Sequence, residues 1–301
     1  MIVPNQSNLK VHFAGLENQD FAQILHEVSG INYSLFTVFP LIAHHVGIKP
    51  MKMKTCTNNS PIYLQNASRH TIMDSGLFTL MFGAHAGKRD RNFIETWYNL
   101  IVDFVHQSGY QGTVVEVDCQ KVLGVEAAWE FRRRMKHDLP NNQINVFHIE
   151  DGQRGLDEMI EFSDYIAISV PELRAIGKKQ YTEQVANYIK AKKPSIDIHL
   201  LGCTENKLLK NLNFCSSSDS TSWQQVNRFG HLKMNNGTKT MSIANSDISI
   251  DKLKERYSPR IENIIEQWME ATPKRFDYYS KYALAGEMLV KQYTIFAGDQ
   301  Q

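Results

Sequence analysis

No two of the four cysteines, Cys56, Cys119, Cys203 and Cys215, share the close spacing of a C-x-x-C pair. That absence argues against a cysteine-rich structural zinc site and against a disulfide scaffold, and leaves reduced thiols in a cytoplasmic setting as the simplest reading. The chain also lacks an uninterrupted apolar run of membrane-spanning length, and Met1 to Lys10 has no apolar core of the kind a signal peptide needs. A soluble protein with no membrane partner is expected. Neither a G-x-G-x-x-G nor a G-x-x-x-x-G-K-S/T segment occurs, which argues against the common nucleotide-binding open sheets. An excess of either charge is missing as well. The formal net charge is +1, so composition neither demands nor excludes a polyanionic partner. No linker or low-complexity stretch interrupts the 301 residues, so one domain over 1–301 is expected, with a hydrophobic share of 42% ample for its core.

The strongest positive feature is where the acids fall. The apolar run Thr71-Ile72-Met73 closes on Asp74-Ser75-Gly76, with Leu77-Phe78 following. The pattern recurs. Val114-Val115-Glu116-Val117 ends at Asp118, Val146-Phe147-His148-Ile149 ends at Glu150-Asp151, and a segment from Phe214 ends at Asp219-Ser220-Thr221. Strands that each deliver a polar or acidic residue at the same end are how a parallel α/β barrel builds a catalytic mouth.

The spacing predicts strands at 11–15, 71–74, 113–118, 145–149, 165–169, 196–202 and 214–218. Helices are predicted from Asp20 to His26, Asn92 to Gln107, Glu126 to Lys136, Gly155 to Phe162, Pro171 onward, Thr182 to Lys192 and Glu205 to Asn211. Residues 31–47 are apolar and aromatic-rich and are predicted as a packed helix. Lys49 to Lys54 reads as an exposed basic connection, and 227–247 as a loop or hairpin excursion before two closing helices, 251–271 and 276–297. Strands alternating with helices, most of them nearly continuous in apolar residues, indicate a parallel sheet covered on both faces. The expected fold is therefore α/β, a (β/α)8 TIM-type barrel over about 11–223, followed by a C-terminal loop and extra helices over 224–301.

Ile72 to Phe78 resembles the "DSGGFQ" segment of the tRNA-guanine transglycosylase family. Val117-Asp118-Cys119 is similar to its "DEC" segment, Phe147 to Gly152 to its "FGIVQG" strand, Tyr165 to Leu173 to its "AIGGLSVGE" region, and Ile198 to Gly202 to its "YLMGVG" strand. Phe214 to Trp223 falls where that family carries its "FDC" nucleophile segment. The matches keep their order over roughly three quarters of the chain. The family's C-terminal C-x-C-x-x-C and histidine zinc site has no counterpart here, nor do the arginines after its nucleophile segment. The run Asp219-Ser220-Thr221-Ser222-Trp223 is closer to divergent members that place 7-deazaguanines in DNA, often in phage genomes.

The resemblance implies base exchange without cofactor or metal. Asp219 would be the nucleophile and Asp74 the general acid/base, and Asp118 and Asp151 would accept from the guanine edge. Ser75, Gly76, Ser169 and the backbone of Gly202 would complete the base pocket, with Phe78 or Trp223 stacking on the base. The implied partners are a nucleic acid (DNA preferred, tRNA the alternative) and a 7-deazaguanine base such as a preQ0-type precursor. The setting would be the cytoplasm, or that of a host cell if the gene is phage-borne. Lys49, Lys52, Lys54, Lys88, Arg89 and Arg91 are the candidates for phosphate contact. Oligomeric state, monomer or homodimer, is left open.

Plainer readings stand beside these. Asp-Ser-Gly is by itself a common turn or helix cap, and Asp219-Ser220-Thr221-Ser222 equally suits an N-cap for a helix through Trp223. Asp118 is as readily a strand-end turn residue, and Asp151 reads as structural because the match changes residue type. Arg132-Arg133-Arg134 lies on a predicted outer helix and is expected to be solvent-exposed. His44, His45, His199 and His231 show no ligand spacing and read as ordinary core or surface histidines, and Cys203 and Cys215 as small buried hydrophobes.

Overall fold

Eight parallel strands close on themselves in the computed structural model, which describes residues 9–49, 60–81, 89–225, 231–236, 239–244 and 282–293. The strands are β1 (Lys10–Ala14), β2 (Tyr33–Thr37), β3 (His70–Asp74), β4 (Thr113–Val115), β5 (Gln143–Phe147), β6 (Tyr165–Ser169), β7 (Asp197–Leu201) and β8 (Ser217–Ser220). They pair in chain order, and β1 pairs with β8 to complete the ring. Helices intervene throughout: α1 (Gln19–Glu27), α2 (Phe39–Ile42), α3 (Ser60–Ala67), α4 (Leu77–Met81), α5 (Arg91–Ser108), α6 (Gln120–Leu123), α7 (Val125–Asp138), α8 (Gly152–Phe162), α9 (Val170–Ala175), α10 (Tyr181–Lys192) and α11 (Asn206–Asn211). This is a (β/α)8 barrel. Among the described residues no helix is long and apolar enough to cross a membrane.

One predicted helix is corrected. Residues 31–47 divide into β2, the short helix α2 and a 3-10 turn, Ala43–Val46. Tyr33-Ser34-Leu35-Phe36-Thr37 lies in full register with His70 to Asp74. A barrel strand is covered on both faces, so its apolar density imitates a buried helix when read by composition alone. Pro40 then sits in the first turn of α2, where its missing N–H costs nothing.

Side-chain alternation sorts the strands into an outer and an inner face. Phe13, Met73, Val114, Ile166, Ile168, Ile198 and Leu200 join the core between sheet and helices. Ala14, Leu35, Ile72, Val115, Ile144, Val146, Tyr165 and Ala167 form a separate apolar cluster inside the ring. Inner positions nearer the strand starts are polar. His12 Nε2 lies 2.8 Å from His70 Nδ1, and His70 Nε2 lies 2.9 Å from Thr113 Oγ1. Burial pushes the His12 imidazole well below its ordinary range, with His70 and His199 adding to the effect, and pushes His70 down to about 4.

Arg132 overturns an expectation. It is 1% exposed, on α7, with Nε 2.6 Å and an Nη 2.9 Å from the Glu116 carboxylate. Glu116 also accepts from Asn145 Nδ2 at 2.8 Å and from the Val146 N–H at 3.1 Å. Arg133 is exposed as expected. On a helix three consecutive residues point in three directions, so one member of an arginine run can face the sheet. The sequence shows the run; only packing shows that an acid on β4's extension waits for it.

Beyond β8 an antiparallel hairpin, β9 (His231–Asn236) with β10 (Lys239–Ala244), occupies the expected excursion. The first closing helix, 251–271, lies outside the described residues. Of the second, 282–293 is helical and packs on the barrel: Tyr293 meets Phe13 edge to face at 5.8 Å, and Ser29 Oγ donates to the Ala283 carbonyl at 2.6 Å.

Candidate active site at the C-terminal mouth

Asp74 is the last residue of β3, of the same parity as inward-facing Ile72. Its Oδ1 accepts from the Gly76 N–H at 2.8 Å. The turn is pinned from outside, because buried Trp97 of α5 donates its indole N–H to the Ser75 carbonyl at 2.8 Å. Gly76 has φ +72, and a Cβ there would lie 2.6 Å from Phe39 Cβ and 2.9 Å from Thr37 Oγ1. Only glycine supplies that conformation and that clearance. Burial pushes the Asp74 carboxyl up to about 6; the Gly76 N–H opposes the shift, and the charges of Asp219 and Asp118 add to it.

Asp219 stands in β8, in register with His12 of β1. Its Oδ1 accepts from the Gly202 N–H at 2.6 Å, just past β7, and lies 3.3 Å from His199 Nε2. Gly202 was expected to offer its backbone to a base. Its N–H is instead spent on Asp219, and its φ of +57 sets the turn that aims it.

Asp118 follows β4 and belongs to a chain of charges. Its Oδ1 is 2.8 Å from His148 Nε2, and His148 Nδ1 is 2.9 Å from Glu172 Oε2. Lys121 lies 2.7 Å from Glu172 and also pairs with Glu150. Burial alone would lower the His148 pKa, but the hydrogen bonds to Asp118 and Glu172 outweigh it and raise it to about 10, so the ring is an imidazolium at neutral pH. Burial would raise Glu172; His148 and Lys121 hold it down at about 2. Among the described residues His148, Glu150 and Glu172 bring three ligand atoms within 4.8 Å of one another. The Lys121 ammonium already pairs with both carboxylates, and His148 has given both nitrogens to acids. Asp151 is occupied structurally: its Oδ2 accepts from the His148 backbone N–H at 2.9 Å.

Glu17 was not anticipated. It follows β1, is 7% exposed, and its Oε1 accepts from the Thr37 N–H at 2.8 Å, directly beside Asp74's partner in the β2–β3 register. Burial pushes it up to about 7, with Asp74 adding to the shift. A carboxyl whose pKa is raised in the folded state stabilises below the unfolded value, and the stability is lost as pH rises through the folded one. Glu17→Gln, which keeps the acceptor for Thr37, should therefore stabilise the protein at pH 8 by roughly 1–3 kcal/mol and leave it unchanged at pH 4. Urea titrations at the two pH values check this; an equal effect at both would mean burial does not penalise the charge.

The remaining predicted residues divide. Ser75 is buried, and Ser169, partly exposed, precedes α9 at the mouth side without a side-chain hydrogen bond to the helix end. Phe78 is 69% exposed. Trp223 is corrected: it is fully buried, donating its indole N–H to the Ala14 carbonyl at 2.8 Å and packing on Tyr282, so it cannot stack on a base. Lys49 is exposed in the connection after β2, and Arg89 lies over Phe93 at 4.5 Å in the connection after β3, both on the mouth side. Arg91 is held 2.5 Å from Glu130 and is a helix-surface ion pair rather than a free cation. Lys52, Lys54 and Lys88 lie outside the described residues. Cys119, Cys203 and Cys215 are buried thiols, burial pushing Cys203 up to about 11.

Fold and site together define a (β/α)8 barrel with an acidic C-terminal mouth whose carboxyls sense one another. The sequence matches no protein-family model and no curated protein. His199 had been read as an ordinary core or surface histidine, and His148, Glu17, Glu172 and Lys121 escaped the sequence reading. Of these only His148 and Glu172 carried a signal, since both adjoin strand ends that were already under scrutiny.

Proposed function

We propose that the protein exchanges guanine in a nucleic acid, DNA by preference, for a 7-deazaguanine base of preQ0 type, in the manner of a transglycosylase working in the cytoplasm. In the first displacement an Asp219 oxygen attacks C1′ while the C1′–N9 bond breaks; the bonding pair leaves with guanine and Asp74 gives the base a proton. In the second, N9 of the incoming base attacks C1′, the C1′–O bond breaks with its pair returning to Asp219, and the N9 proton passes to Asp74. Two inversions retain the configuration of the sugar. Asp118 would accept from the donor edge of the base. Phe78 would stack on it, and Lys49 and Arg89 would meet phosphates on the rim.

The observation that carries this reading is the placement of two carboxyls at one end of the barrel, Asp74 closing β3 and Asp219 in β8, each held by the N–H of a glycine in a turn. A carboxyl raised to about 6 by burial and by the charge of Asp219 is an acid poised to shuttle a proton beside a carboxylate nucleophile. The ordered family-like segments support the same assignment, since each ends at this mouth.

The test is incorporation of labelled guanine or a deazaguanine into DNA and into tRNA separately. Incorporation into DNA is expected. Incorporation into tRNA alone would change the substrate, and neither, with nucleic-acid binding intact in Asp74→Ala and Asp219→Ala, would reduce the protein to a catalytically silent binding barrel.

A further inference from the structure

We infer that His199 is a positioning residue for Asp219, and that the buried hydroxyls of Ser217 and Tyr165 decide which of its ring nitrogens meets the carboxylate. The inference rests on the reading of Asp219 as nucleophile and adds to it a support that no motif indicates.

His199 is wholly buried on β7. Its Nδ1 is hydrogen-bonded to Ser217 Oγ on β8, and the same oxygen is hydrogen-bonded to the Tyr165 hydroxyl on β6. Its Nε2 is buried with no hydrogen-bond partner, yet stands 3.3 Å from Asp219 Oδ1. A buried polar atom without a partner is costly, and a small rotation of the carboxylate would supply one.

The row of groups can be ordered in two ways. Burial pushes the Tyr165 phenol pKa up, so that hydroxyl keeps its proton. If Tyr165 donates to Ser217 and Ser217 donates to Nδ1, then Nε2 carries the ring proton and points it at Asp219. The opposite order would set the Nε2 lone pair against a carboxylate oxygen, which is repulsive. The charge of Asp219 and the Tyr165–Ser217 relay therefore select the same tautomer.

The consequence falls on the second displacement. Gly202 N–H already holds Oδ1, leaving Oδ2 to bond C1′. When the C1′–Oδ2 bond breaks and its electron pair returns to the carboxylate, the Gly202 N–H and the His199 Nε2–H receive the growing negative charge. His199 touches neither base nor sugar; it acts through Asp219.

The test compares wild type with His199→Leu, His199→Gln and Ser217→Ala, by base exchange on the nucleic acid that wild type modifies and by 15N spectra of the histidine rings in ligand-free protein. His199→Leu should lower kcat by about 10- to 100-fold with KM for guanine nearly unchanged, and should accumulate the protein–nucleic acid adduct. His199→Gln, whose amide N–H replaces Nε2–H, should recover most of the loss. Ser217→Ala keeps the ring in place and should give an intermediate loss. The spectra should show a protonated Nε2 and bare Nδ1 whose shifts move in Asp219→Asn. A His199→Gln variant as slow as His199→Leu, an undiminished kcat in His199→Leu, or a ring protonated at Nδ1 instead would overturn the inference. Absence of any adduct in wild type, with the expected tautomer present, would instead remove the reaction and leave the contact.

Discussion

Asp219→Asn should abolish base exchange, lowering kcat by about 10⁴-fold or more, and should remove the covalent adduct altogether. The amide offers no anionic oxygen to attack C1′. Its carbonyl oxygen can still accept from Gly202 N–H, so the turn after β7 survives and the melting temperature should stay close to that of wild type. That separation of chemistry from folding makes the variant decisive. Nucleic-acid binding should persist, because the rim cations Lys49 and Arg89 are untouched. Asp74→Asn should also be slow, and the fall in wild-type kcat/KM for the nucleic acid as pH rises through about 6 should vanish with it, since the acid that protonates departing guanine is a carboxyl that burial sets at about 6. The measurements are denaturing gels for the adduct and initial rates from pH 5 to pH 9. An adduct that survives in Asp219→Asn would move the nucleophile elsewhere.

The largest effect on stability is expected at Glu116. Glu116→Ala would leave the Arg132 guanidinium buried without its counter-charge, and the Asn145 amide and Val146 N–H without an acceptor. Removal of one partner of a buried ion pair costs about 3–5 kcal/mol. The paired replacement Glu116→Leu with Arg132→Met removes both charges at once and should fall far less, because no charge is left to desolvate. Urea unfolding of the two variants distinguishes them. Equal losses would mean that volume, not charge, matters there. The site should feel the single change too, since Glu116 lies two residues before Asp118 and ties β4's extension to β5 and α7.

Much of the barrel was legible because its cause is local. Short apolar runs ending in an acid, separated by helical periodicity, state both the strands and the end at which polar groups gather. Asp74, Asp118 and Asp219 were found that way. β2 was not, since a strand covered on both faces and a buried helix are equally apolar. Arg132 and Trp223 were misjudged for one reason: a charged run looks solvated and an aromatic beside a nucleophile segment looks available until the neighbouring element is known.

The chain's own order of residues determined the alternation of strands and helices, the glycine after Asp74, and the end of the barrel at which acids collect, because each depends on side-chain periodicity or on a single residue's allowed backbone. What only the closed barrel decided were the partners. Glu17 beside Asp74, His148 between Asp118 and Glu172, and His199 beneath Asp219 are pairs 57, 30, 24 and 20 residues apart, brought together by the parallel pairing of neighbouring strands around the ring. Contact across a ring is set by register and closure, and no local pattern in the sequence encodes either.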